Sequence, residues 1–206
     1  MQKLLFIIVL LSQLSGCSWI AVDYYYDENS SSAEWVGEFR PGKTSTKMSG
    51  YPDTVLYTFE HHDFKLTLNL SYQNVVSIGP VVFPIIPMPW KHLSELRLEA
   101  TIETDQNIGF DLSHWKIKTN VTNDAVQPSE VFFIENSSLE TQNQAPAQVN
   151  IDKRSRMYLT YPLKAADVSE IVISVGTLST QTGTVTPPKL SLSKARGTWH
   201  FEQFTL

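Results

Sequence analysis

The chain has 206 residues, of which 42% are hydrophobic and 18% charged. That is enough apolar material for a packed core and too little charge for a disordered polyelectrolyte. With 16 basic and 21 acidic residues the formal charge is -5, which offers no cationic field for tracking phosphates, so nucleic acid is excluded as a partner. A single cysteine excludes an intramolecular disulfide and a cysteine-based zinc site.

The amino terminus reads Met-Gln-Lys, then an unbroken apolar run from Leu4 to Leu11, then Ser12-Gln13-Leu14-Ser15-Gly16-Cys17. A cationic start, a short apolar stretch and small residues at a cut point make a secretory signal. Eight apolar residues cover about 12 Å as a helix, short of the roughly 20 residues that span hydrocarbon. The tetrad Leu14-Ser15-Gly16-Cys17 resembles the lipobox of bacterial lipoproteins, and the chain's only cysteine stands at its end. The resemblance implies cleavage after Gly16, a thioether-linked diacylglycerol on Cys17 and an acyl chain on the freed amine. Two or three chains make attachment stable where one is marginal. In Gram-negative lipoproteins aspartate after the lipidated cysteine retains the protein in the inner membrane. Here that position is Ser18, which implies the outer membrane, facing the periplasm, in a double-membraned source. Loss of Lys3 with the signal leaves 15 basic and 21 acidic residues, 15 - 21 = -6. Such a body is repelled by anionic lipid, so the acyl group must dominate attachment.

Residues 17–34 then form a lipidated terminus and tether. Trp19 and the run Tyr24-Tyr25-Tyr26 suit either the headgroup level of a membrane or a first strand packed on the domain, whereas Ser30 to Ser32 read as flexible linker. From 35 to 206 a single domain is expected.

Within it the apolar period is two. Phe64, Leu66, Leu68, Leu70 and Tyr72 alternate with polar residues, as do Leu96, Leu98, Ala100 and Ile102 with Glu95, Arg97, Glu99, Thr101 and Glu103, giving strands with one dry and one wet face. Further strands are expected at Trp35 to Phe39, Val55 to Phe59, Trp115 to Thr119, Glu130 to Ile134, Met157 to Leu163, Ile171 to Val175, Lys189 to Ser193 and Thr198 to Phe204. Turn formers such as Arg40-Pro41-Gly42, Asn123-Asp124 and Thr186-Pro187-Pro188 separate them. With no long helical pattern between them, the fold class is all-β: one antiparallel sandwich, immunoglobulin-like in the broad sense. Lys164 to Ser169 is expected to add one helical turn.

The stretch from Val75 to Trp90 carries no charge but holds Pro80, Pro84, Pro87 and Pro89, which argues against a membrane helix and for an extended segment along a sheet edge. It is similar to Gly-Pro and Pro-Ile-Ile-Pro runs of bacterial envelope lipoproteins, a likeness that implies no activity. Either Val82, Phe83, Ile85 and Ile86 fold over an open end of the sandwich, or Pro80, Val82, Phe83, Pro84, Ile85, Ile86, Pro87 and Trp90 form an exposed ridge that docks an envelope protein or dips into the membrane interface.

Chemistry is sparse. Of the histidines at 61, 62, 92, 114 and 200, two fall in Glu60-His61-His62-Asp63. On a strand, His61 and Asp63 share a face, which gives two ligands where zinc needs three or four. The segment is therefore read as a polar turn, with His61, His62 and Asp63 as weak metal candidates. No metal and no cofactor is expected beyond the lipid on Cys17. No hydrolase elbow, dinucleotide loop, phosphate loop or zinc-protease motif occurs, and no catalytic residue is assigned. Lys153-Arg154-Ser155-Arg156 reads as a solvated turn rather than an anion site, and Trp115, Trp199 and Phe201 as core packing rather than a stacking platform. The expected function is a lipid-anchored envelope protein acting as a non-catalytic binding or structural module. The alternatives are a small envelope hydrolase or metal-binding enzyme built on Glu60 to Asp63, and an accessory subunit of a transport or assembly complex.

Overall fold

A computed structural model describes residues 16–28, 34–42, 53–80, 86–87, 95–135, 138–142 and 148–205. In chain order the strands are β1 (Gly16–Glu28), β2 (Trp35–Arg40), β3 (Thr54–His61), β4 (Phe64–Asn69), β5 (Ser71–Pro80), β6 (Ile86–Pro87), β7 (Glu95–Thr104), β8 (Ile108–Asp111), β9 (Lys116–Thr119), β10 (Glu130–Glu135), β11 (Ser138–Gln142), β12 (Gln148–Ile151), β13 (Ser155–Lys164), β14 (Glu170–Ser174), β15 (Leu178–Ser179), β16 (Thr184–Val185) and β17 (Leu190–Thr205). A short 3-10 turn over Leu112–His114 is the only helical element among the described residues. All the strand pairs are antiparallel.

Among the described residues the strands form three sheets, ordered β6-β5-β1-β17-β14-β9, β11-β10-β13-β7-β4-β3-β2 and β12-β8-β15-β16. The alternation in β4 and β7 sets their register, with Leu66 opposite Ile102 and Leu68 opposite Ala100. These four side chains are buried together, because a pair in register puts both apolar sets on one face. They join a single core with Tyr26, Ile117, Ile171 and Leu190 of the six-stranded sheet and Ile108 and Leu178 of the four-stranded one. The architecture is thus the all-β sandwich that one-sided strands demand. Polar atoms tie the layers: the Tyr57 hydroxyl donates to the Tyr26 carbonyl at 3.1 Å, and the Tyr26 hydroxyl to the Val168 carbonyl at 2.9 Å.

Several expectations are corrected. Of the two readings of the segment after Cys17, the strand is realised: Gly16–Glu28 is β1, hydrogen-bonded between β5 and β17. A flexible tether over these residues is replaced by a sheet strand, since Tyr26 buries its ring in the core and the backbone finds partners on both sides. The alternating run at Phe64 to Tyr72 is two strands, β4 and β5, in different sheets, and the buried Leu70 marks the crossing. Conversely, the two strands expected near the carboxyl end are one, β17; its register against β1 shifts between Val22 and Tyr24, a bulge that absorbs Gly197 and Thr198. Lys164 to Ser169 is a strand end followed by a turn, closed by the Asp167 amide on the Lys164 carbonyl at 3.0 Å, and not a helix. Ala165 and Val168 are buried in it.

Candidate functional site

The β3–β4 hairpin closes through two residues, His62 and Asp63, because His61 pairs with Phe64. Such a tight connection leaves Asp63 off the strand, and its carboxylate turns inward until its side chain is only 1% exposed. The Thr182 hydroxyl, from the loop joining β15 to β16, donates to Asp63 Oδ2. Thr104 Oγ1 donates to the Asp63 carbonyl at 2.9 Å. Both imidazoles stand against the same oxygen: His62 Nε2 lies 3.3 Å and His61 Nδ1 3.8 Å from Asp63 Oδ2. Their rings are 3.9 Å apart. His61 Nδ1 accepts the Asp63 amide at 3.3 Å, so its lone pair points back toward the turn. The Thr182 hydroxyl bond, helped by Thr180 and then by His62 and His61, holds the Asp63 carboxyl below its ordinary range against the opposing push of burial.

The polar turn expected from the sequence is there, at His62 and Asp63, while the count of two ligands that a strand would give is corrected. The turn brings one donor atom from each of His61, His62 and Asp63 within 4.8 Å of one another. Glu60, the fourth member of the motif, is engaged with Lys65 at 2.9 Å on the strand pair itself. Thr182 was invisible to sequence reasoning, lying 119 positions from Asp63 with no motif to connect them.

A second feature is a shallow groove of about 840 Å³ on the outer face of the seven-stranded sheet, lined by residues such as Arg40, Thr58, Lys65, Thr67, Glu99 and Arg156. Its charges answer each other: Arg156 meets Glu99 at 3.2 Å and Arg154 meets Glu103 at 3.1 Å. Asn69 donates to Glu99 at 3.1 Å. The cluster Lys153 to Arg156 is thus only partly a turn, since Ser155 begins β13 and is buried, while the flanking arginines reach onto this face. Exposed pairs of this kind contribute little stability each.

Cys17 falls near the start of β1, opposite Pro80 of β5 and Phe204 of β17. Of the apolar ridge, Pro80 ends β5, and Ile86 and Pro87 form β6 at the outer edge of its sheet, the edge placement expected of prolines. Val82, Phe83, Pro84, Ile85 and Trp90 lie outside the described residues. Trp115 is fully buried beside Phe110, ring centroids 5.7 Å apart, as core packing requires. Among the described residues no helix is long and apolar enough to cross a membrane. Compared with protein-family models, curated proteins and solved structures, the chain matches none.

Proposed function

We propose that the chain is a lipid-anchored protein of the bacterial cell envelope, held by acyl chains on Cys17 at the outer membrane and facing the periplasm. Its all-β body serves there as a non-catalytic binding or structural module. The observation that carries this reading is the tetrad Leu14-Ser15-Gly16-Cys17, with the chain's only cysteine directly after the small residues of an export signal. The fold adds support, because Cys17 lies within β1, opposite Pro80 and Phe204, so the attachment point leads straight into the sheet. A lipid there positions the body against the bilayer with little slack, as suits a protein that presents a surface. The groove on the seven-stranded sheet is a fitting surface. Its acids and bases neutralise one another, and Asn69 donates to Glu99 among them.

The test is intact-mass analysis of the protein extracted from membranes, with fractionation of the Cys17→Ser variant. A mature chain beginning at an acylated Cys17, and release of the variant from the membrane fraction, are expected. An unmodified thiol, or unchanged partitioning of the variant, overturns the proposal.

A further inference from the structure

We propose that the tip of the β3–β4 hairpin is a binding site for a divalent transition-metal cation of the zinc class, with His61, His62 and Asp63 as ligands and the Thr182 hydroxyl orienting the carboxylate. The spacing approaches that of a coordination shell: the three donor atoms lie within 4.8 Å of one another, so the two imidazoles must draw together as the ion binds. Ligands about 2.0–2.1 Å from a tetrahedral ion sit about 3.3–3.4 Å from each other. The His62–Asp63 distance of 3.3 Å meets this as it stands, and the His61–Asp63 distance of 3.8 Å needs a closure of about half an ångström.

A second, independent observation points to a cation. Asp63 Oδ1 is buried and has no hydrogen-bond partner among the described residues: its sister oxygen takes the Thr182 proton, and the neighbouring Thr180 hydroxyl donates to the Gly183 carbonyl at 3.1 Å. A buried carboxylate oxygen left without a donor is costly. The imidazoles face the sister oxygen Oδ2, so an ion held by both oxygens of the carboxylate satisfies the charge and the orphaned lone pairs together. Thr182 then does what outer-shell groups do for metal carboxylates: it fixes the orientation of the ligand. His61 Nδ1 is the unprotonated nitrogen, and its lone pair accepts the Asp63 amide at 3.3 Å, a long bond whose place the ion takes. His62 Nε2 lies 3.2 Å from the Thr182 hydroxyl, and with the side chain 66% exposed the ring can exchange that contact for the ion.

Two imidazoles with one carboxylate suit zinc, copper or nickel, whereas calcium and magnesium select oxygen cages. Three protein ligands leave a fourth position for water on the exposed side of His62. Because Thr182 comes from the loop between β15 and β16, its bond to Asp63 ties the four-stranded sheet to the seven-stranded one, and an ion on that carboxylate steadies the tie. The site does not depend on membrane attachment, so either proposal stands if the other fails.

The experiment uses the full, tag-free chain in detergent, stripped with a chelator and titrated with zinc chloride by calorimetry, then with cobalt(II) by visible absorption. One ion per chain with micromolar affinity and cobalt bands are expected. His62→Ala, an exposed change that leaves the core intact, weakens zinc binding at least tenfold, as does Asp63→Asn. His114→Ala leaves the titration unchanged. Absence of heat and of cobalt bands from the parent overturns the proposal. So does equal binding by His62→Ala, or loss of binding in His114→Ala alone. Calcium competing as well as zinc overturns the assignment of the ion.

Discussion

Two buried tyrosines make opposite predictions for one chemical change, removal of a phenolic hydroxyl. Tyr57 is 2% exposed, and its hydroxyl donates to the Tyr26 carbonyl at 3.1 Å and lies 3.4 Å from Asp27 Oδ1. Burial, then the Asp27 carboxylate, push its phenol up, so it remains a proton donor across the neutral range. Tyr57→Phe removes a net contribution of about 0.5–1.5 kcal/mol and strips a donor from a carbonyl near the core, for a total of about 1–2 kcal/mol. Tyr161 is fully buried and its hydroxyl has no partner among the described residues. Tyr161→Phe therefore relieves a desolvation penalty and leaves stability unchanged or raised by about 1 kcal/mol. In a chain of this length 1 kcal/mol moves Tm by about 2–4 °C. Scanning calorimetry should put the Tyr57 variant about 2–8 °C below the parent and the Tyr161 variant level with it or a few degrees above. A Tyr161 variant that falls as far as the Tyr57 variant refutes the reasoning, because its hydroxyl must then hold a bond.

Three further outcomes follow from local geometry. Gly176 has φ of 80°, and an added Cβ would lie 2.5 Å from His114 Cβ. Gly176→Ala combines left-handed strain of about 1–2 kcal/mol with that overlap, and denaturant unfolding should register a loss of about 2 kcal/mol or more; a neutral result contradicts the geometry. Leu66→Ala empties a fully buried position between β3 and β7 and should cost about 2–5 kcal/mol in the same assay. Asp63 titrates below its ordinary range in the folded chain, so its stabilising contribution is complete above about pH 4, the unfolded carboxylate value, and fades as pH falls through the folded value. Melting temperatures of parent and Asp63→Asn should converge on acidification in metal-free buffer, and a constant gap would rule out this carboxylate as the cause.

The long strands were legible because their inner faces are uniformly apolar: Leu66 and Leu68 in β4, Leu96 to Ile102 in β7, and Met157 to Tyr161 in β13 are buried where alternation places them. β1 was ambiguous for a physical reason. Three adjacent tyrosines break the period of two, and only pairing with β5 and β17 decides that Tyr26 turns inward. The two-residue strands β15 and β16 are too short to show any period. At the hairpin tip the residue types were visible as Glu60 to Asp63, yet their convergence was not. A strand template separates neighbours onto opposite faces, whereas the turn at His62 and Asp63 gathers them, and Thr182 arrives from a distant loop. Nothing in the composition of Lys153 to Arg156 foretold that its arginines would find Glu99 and Glu103 across a register set by β7 and β13.

The pairing of β1 with β17 runs from Gly16 opposite Thr205 to Glu28 opposite Leu192, joining segments from opposite ends of the described chain. A sheet zipped in this way is not completed while the polypeptide is being threaded or synthesised in order, because its central seam waits for the final stretch to arrive. Closing so long a loop is slow. That delay leaves β1 and its neighbours without their central partner until β17, the last strand, is in place.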